Sequence, residues 1–250
     1  MNAFIDWRGT GVPVVCLSGI GGAAHLWVGV ARAFPGRRVL AWNQPGYGGR
    51  ALIEPLDFAA LAQTLAADLD APIVDLVGHS MGGMIALEFA LRFPARVRRL
   101  VPYATTPAFG GKDPAFAETF LARRLKPLED GLSMPQAAVL LVSGMAAAGA
   151  DPACEPAMAA AMASIPEATW RATLACLTRF DRRADIARIA TPTLCIAGAQ
   201  DAVAPPRSMQ RMADAIAGAR FAVVEGAGHV PHLEQPAAFE ALLRDFLTDI

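Results

Sequence analysis

The chain has 250 residues, 54% of them apolar and 18% charged, with 22 basic against 23 acidic side chains. That balance excludes a disordered chain and leaves no basic footprint for nucleic acid. The most apolar stretch, Ala137 to Ala150, is broken by Ser143, Gly144 and Gly149 and falls short of the roughly 20 residues that span a bilayer. In chain order, Val12–Leu17 reads as a buried strand, followed by a glycine-rich turn and a helix from about His25 to Phe34. Arg38–Trp42 is a second strand, closed by the turn from Gln44 to Gly49. Phe58, Leu61, Leu65 and Leu69 recur at helical spacing. Strand Ile73–Val77, helix Met84–Phe93 and strand Val97–Tyr103 follow. Near the end, Thr193–Ala197 and Ala219–Val224 are strands, flanked by helices at Met209–Ile216 and Phe239–Phe246. Near-continuous apolar strands alternating with helices predict an α/β fold: a mostly parallel sheet covered on both faces.

Between about Thr105 and Arg183 no strand is readable. Some 80 residues is far longer than the usual 4–6 residue connection, so this stretch is expected to be an inserted helical subdomain. Its prolines (Pro107, Pro114, Pro127, Pro135, Pro152, Pro156 and Pro166) should divide it into short helices. The expected organisation is a core of residues 1–104 and 184–250, with a helical cap at 105–183. Met1–Arg8 has no basic segment ahead of an apolar run, so no signal peptide is visible. Cys16, Cys154, Cys176 and Cys195 show no metal-ligand spacing, which suits reduced thiols in a cytoplasmic protein. No metal site is expected.

The sharpest motif is Gly78-His79-Ser80-Met81-Gly82, which follows a strand and precedes a helix. G-x-S-x-G in that context predicts a nucleophile elbow that lifts the Ser80 hydroxyl above the sheet. A serine needs a base, and the base needs an orienting acid. Of four histidines, His79 lies within the elbow and should shape the turn, while His25 opens the first helix and should cap it or line the pocket rim. His229 and His232 follow the last strand. His229, flanked by Gly228 on a loop beyond the strand's carboxyl end, is favoured as base; His232 is expected to bond the loop or Glu234. Asp201 is the one carboxylate in the turn after Thr193–Ala197. Asp185 precedes that strand and should be solvated or capping. The order Ser80, Asp201, His229 is the α/β-hydrolase order. Backbone N–H groups of Ile20, in the glycine turn after the first strand, and Met81 are the expected oxyanion donors. No G-x-G-x-x-G in a suitable unit and no P-loop is present, so no cofactor is expected.

On these residues the chain resembles the α/β-hydrolases from Val12 to the final helix. Asn43-Gln44-Pro45-Gly46-Tyr47-Gly48 matches the family's second turn, and Gly228 to Pro236 looks like its catalytic-histidine segment. Two departures stand out: Ser18 where the family usually has histidine before the oxyanion turn, and Asn43 and Arg50 in place of its usual aspartate and serine. Arg182–Ile186 through Pro205-Pro206 is most similar to the small capped esterase and 3-oxoadipate enol-lactonase branch. The resemblance implies a cofactor-free serine hydrolase acting on a small, largely apolar carboxylic ester, thioester or (enol-)lactone through an acyl-enzyme on Ser80. Serine at the elbow excludes an aspartate-nucleophile dehalogenase. Alternatives are a carbon–carbon hydrolase or lyase using the same triad, an acyltransferase or perhydrolase, and a slow-turnover receptor.

With that activity the insertion becomes a lid. His25, Trp170, Met145 and Val203 are expected in the pocket, with Met134, Leu140, Leu141, Met158 and Met162 as further apolar lining. Arg123, Arg124 and Arg171 are candidates to meet a substrate carboxylate, with a solvated face as the alternative. The expected partner is a small-molecule ester or lactone, with no nucleic acid and no membrane; the sequence leaves the oligomeric state open.

Overall fold

The computed structural model describes residues 2–110 and 114–248. Residues 111–113, inside the expected cap, and Met1, Asp249 and Ile250, at the ends of the expected core, lie outside the described residues. Among those described, seven strands form one sheet. They are β1 Phe4–Trp7, β2 Thr10–Leu17, β3 Arg37–Trp42, β4 Val74–His79, β5 Val97–Tyr103, β6 Leu194–Gly198 and β7 Arg220–Val224. The spatial order is β1-β3-β2-β4-β5-β6-β7, with β1 antiparallel to β3 and every other pair parallel. The mostly parallel sheet is as expected. Strand β1 was not foreseen: four residues with Asp6 among them give too short an alternation, and the strand is held from outside by an Arg38–Asp6 ion pair at 2.9 Å.

Successive β-residues point to opposite faces, and here both faces are covered. Val15, Leu17 and Leu76 pack with helices α2 (Phe58–Asp68), α3 (Met81–Arg92) and α8 (Pro206–Asp214). Val14, Cys16 and Val77 pack on the other side with α1 (Val28–Ala33) and with α10 (Pro236–Leu247), which follows the short α9 (Pro231–Glu234). This is why the strands read as unbroken apolar runs. Helix α3 begins three residues earlier than its apolar pattern suggests. Gly82 and Gly83 are poor helix formers, yet a Cβ on Gly82 would lie 2.1 Å from the Leu17 carbonyl oxygen, and one on Gly83 2.7 Å from Thr105. Close packing against β2 and the loop after β5 overrides propensity.

At the start of β4, Asp75 is fully buried and gripped by Arg37 of β3 and by Arg98 of β5, the latter at 2.7 Å. A carboxylate with two guanidiniums is the arrangement in which a buried charge is tolerated. It ties three strands at the end of the sheet opposite Ser80.

Between β5 and β6 the described residues hold α4 (Pro114–Glu129), α5 (Met134–Val142), α6 (Cys154–Ala163) and α7 (Glu167–Leu177). They share a third apolar cluster, built around Met134, Leu141, Met158, Met162 and Trp170, which also takes in Tyr47 and Val230 from the core. Pro135, Pro156 and Pro166 stand at or near helix starts, where a missing N–H costs nothing. Pro127 departs from expectation, lying inside the last turns of α4 instead of ending it. The two ends of the segment are pinned together: Phe109 N–H donates to Phe180 O and Arg182 N–H to Pro107 O, both at 2.8 Å. Arg182 also reaches the buried Glu88 on α3, at 2.5 Å.

Gly82→Ala should destabilise the fold by about 2 kcal/mol or more, because backbone rather than a flexible side chain must give way. Urea denaturation midpoints measure it; an unchanged midpoint would contradict the close approach.

Candidate active site

Strand β4 ends at His79 and α3 starts at Met81, so Ser80 alone makes the turn, with φ 51° and ψ −117°. Positive φ is costly for any side chain with a Cβ. Three contacts impose it. Ser80 N–H donates to Tyr103 O at 3.0 Å, the Thr105 hydroxyl donates to Ser80 O at 2.7 Å, and a Cβ on Gly78 would sit 2.4 Å from the Gly82 oxygen. The result presents Ser80 Oγ at the N-terminus of a 12-residue helix, whose dipole favours developing negative charge.

His229 lies on the loop after β7 and is 3% exposed. Its Nε2 is 3.2 Å from Ser80 Oγ, and its Nδ1 is 2.9 Å from Asp201 Oδ2. The other Asp201 oxygen accepts the N–H groups of Val203 and Ala204 at 2.7 and 2.9 Å. Burial works against the charge on Asp201, but the hydrogen bond and attraction to His229, joined by those two amides, hold it below the usual carboxylate range. Ionised Asp201 accepts from Nδ1–H, leaving Nε2 as the acceptor that faces the serine. Thus Ser80, His229 and Asp201, read from three separate motifs, come together.

The remaining imidazoles have other roles. His79 Nε2–H donates to the His229 carbonyl at 2.8 Å, supporting the loop from beneath. Burial first, then the neighbouring His229 and His232, push His79 well below the usual histidine value. His232 does not bond Glu234: its Nδ1 meets the Tyr103 hydroxyl at 3.0 Å, and its ring stacks on Trp27 with centroids 5.0 Å apart. It is the Glu234 carboxylate that binds the loop, accepting Gly228 and Val230 N–H at 2.8 Å and Ala147 N–H at 2.6 Å. Sequence reasoning missed this use of Glu234. The available signal was Glu234 as the one carboxylate of residues 226–235, five positions after His229.

A cavity of about 620 Å³ opens above Ser80. Ile20, Met145, Trp170 and Val203 line it, as do Met158 and Met162. The Tyr47 hydroxyl donates to Ile20 O at 2.7 Å, fixing the glycine turn at whose centre Ile20 stands. Met134 and Leu141 pack among the inserted helices instead, and Leu140 is exposed on their outside. His25 is not on this cavity. It is exposed and lines a separate cleft of about 230 Å³ with Asn43 and Gln44, because the short 3₁₀ turn Ala24–Trp27 directs Trp27, not His25, inward. Arg123 and Arg124 border the main cavity, whereas Arg171 pairs with Glu167 on the surface at 2.8 Å. Asp185 pairs with Arg188 as a surface group.

The unusual positions are internally matched. Ser18 Oγ accepts Trp27 Nε1–H at 2.9 Å, and Arg50 bonds the Asn43 carbonyl at 2.7 Å and Asp68 at 2.6 Å. Among the described residues no three His, Cys, Asp or Glu side chains gather as a metal-holding group, and no helix is long and apolar enough to cross a membrane.

Burial, with His229 second, pushes His232 down to about 3. The unfolded chain takes that proton near pH 6.5 and the folded one only near 3. The stability is therefore full above pH 6.5 and is lost as pH falls toward 3. His232→Gln should remove about 2 kcal/mol of the pH dependence between 7 and 5, read from urea midpoints at both pH values; equal slopes would refute the assignment.

The model of the alpha/beta hydrolase family matches residues 14–242. A pimeloyl-[acyl-carrier protein] methyl ester esterase of Neisseria meningitidis serogroup B is 30% identical over 255 residues, covering 94% of this chain and 92% of its own length. A hydrolase from Pseudomonas aeruginosa superposes with a TM-score of 0.85 at 27% identity, covering 98% of this chain and 94% of its own. The enol-lactonase of Burkholderia xenovorans LB400 shares the fold, with a TM-score of 0.86 at 24% identity over 98% and 96%. The chain belongs to the alpha/beta hydrolase family.

Proposed function

We propose that the protein is a serine esterase that cleaves a small, largely apolar carboxylic ester, thioester or lactone through an acyl-enzyme on Ser80. The observation that carries this reading is His229 held between Ser80 Oγ and Asp201 beneath a mainly apolar cavity. The Neisseria relative, a methyl ester esterase matched along nearly its whole length, supports the ester bond as the target.

In this mechanism Ser80 Oγ attacks the carbonyl carbon while His229 Nε2 takes its proton. Asp201 keeps the imidazole in the required tautomer and stabilises the imidazolium. The Met81 and Ile20 N–H groups receive the tetrahedral oxyanion, aided by the N-terminus of α3. His229 then passes its proton to the departing alcohol or thiol. Water, deprotonated by the same imidazole, releases the acid.

Helices α4–α7 and the loop between α5 and α6 serve as the lid: Met145 from that loop, with Met158, Met162 and Trp170, turns an otherwise open sheet edge into an apolar chamber. In such a chamber, electrostatic contacts to the oxyanion act in a water-poor medium.

A fluorophosphonate probe should label the wild-type protein and fail to label Ser80→Ala; equal labelling would overturn the nucleophile assignment. Asp201→Asn should lower kcat on p-nitrophenyl esters by about three to four orders of magnitude, with the circular dichroism spectrum unchanged. Near-normal turnover would mean that another group orients His229. A panel of p-nitrophenyl esters, thioesters and lactones tests the substrate class; no turnover of any member would overturn it.

A further inference from the structure

Three successive amides at the catalytic histidine are each held by a partner. Gly228 N–H donates to Glu234 Oε2 and Val230 N–H to Glu234 Oε1, both at 2.8 Å, while His229 N–H donates to Met145 O at 3.1 Å. Oxygen Oε2 also accepts Ala147 N–H at 2.6 Å. Met145 and Ala147 belong to the loop between α5 and α6. Two of these four bonds therefore join residues 228–234 to the inserted segment, and three of the four end on one carboxylate. Glu234 is 5% exposed. Its charge is spread over three N–H donors, which makes each bond stronger than a neutral one. The backbones also touch: a Cβ on Gly228 would lie 2.8 Å from Met145 O and 2.9 Å from Ala147 N.

We infer that Glu234 is a positioning residue. It sets the His229 imidazole against Ser80 by clamping the amides on either side of it, and it ties that setting to the loop of the proposed lid. The inference rests on the proposed role of His229 as base. The ring's reach to Ser80 depends on where the 228–230 backbone sits, and a displacement of about 1 Å at a reacting group costs on the order of a hundredfold in rate. Without the carboxylate, this backbone is held by the Met145 carbonyl, by His79 below, and by the turn bonds from Leu233 and Glu234 N–H to Val230 O, and the Gly228 and Val230 amides lose their acceptor. Substrate cover and proton acceptor thus share one anion: when the 145–147 segment is seated, the base is aligned.

The test compares Glu234→Gln and Glu234→Ala in the full-length protein. Glutamine keeps a carbonyl oxygen for one side of the clamp but turns an NH₂ toward an amide donor on the other; alanine removes both. With p-nitrophenyl acetate, kcat should fall by about tenfold in E234Q and about a hundredfold in E234A. KM should stay within about threefold, and the rate of fluorophosphonate labelling should fall in parallel. In E234Q the downfield proton resonance of His229 Nδ1–H should weaken while amide dispersion is retained. If E234A does not fold, E234Q alone carries the comparison. Wild-type kcat and labelling rates in the folded variants, even with a lowered Tm, would overturn the inference. Absence of labelling in the wild-type protein would instead overturn the reading of His229 and Ser80 on which it stands.

Discussion

The structure turns on a contact between bare backbones: Gly82, in the first turn of α3, lies against the Leu17 carbonyl at the end of β2. Only a residue without Cβ lets the helix come this near. That approach compresses the connection from β4 into the single residue Ser80, whose positive φ is the local cost. The groups of the proposed mechanism are all referenced to this corner. The helix end faces the hydroxyl, the Ser18–Gly22 turn runs alongside it, and Gly19 closes on His79 tightly enough that a Cβ there would be 2.9 Å from the ring. A similar approach recurs where the acid and base loops meet, since a Cβ on Gly198 would fall 2.0 Å from the Gly228 oxygen. The carboxyl ends of β2, β4 and β6 are thus brought together by glycines, and the reactive side chains stand on the surface so formed.

Three buried imidazoles crowd this surface, with His79 5.0 Å from His229 and 5.4 Å from His232 between ring centroids. The proposed mechanism asks one member of this cluster, and one only, to carry charge. Burial and mutual repulsion keep His79 and His232 neutral, and their nitrogens are engaged by a carbonyl and a phenol respectively. His229 alone has an ionised carboxylate as partner. Surroundings rather than residue type thus set His229 apart as the imidazole that the proposed mechanism uses as base.

Much of this was legible in the chain. The paired-face strands, the elbow and the order Ser80, Asp201, His229 all depend on local patterns or on position relative to a strand end, which a sequence displays. What escaped depends on distant partners. Strand β1 exists because β3 is there to pair with it. Pro127 is absorbed into α4, against its usual effect. As the opening residue of a helix, His25 would cap it or line the pocket rim, whereas a 3₁₀ turn directs it to another cleft. Glu234 bonds amides 4, 6 and 87 positions away, and the longest of those separations leaves no trace in local spacing.

The stem of the inserted segment has a consequence for how such proteins diversify. Its two strands of chain meet at Pro107–Phe109 and Phe180–Arg182 through paired amide bonds, so the helices leave and rejoin the sheet at a single point. For a loop already closed at its neck, each doubling in length costs only about 0.6 kcal/mol. The register of β5 on β6 need not respond. The segment is exchangeable like a fitting on a fixed mount: a lineage can lengthen, shorten or replace it and so re-specify the chamber, provided that whatever is installed still offers a carbonyl and an amide to the histidine loop.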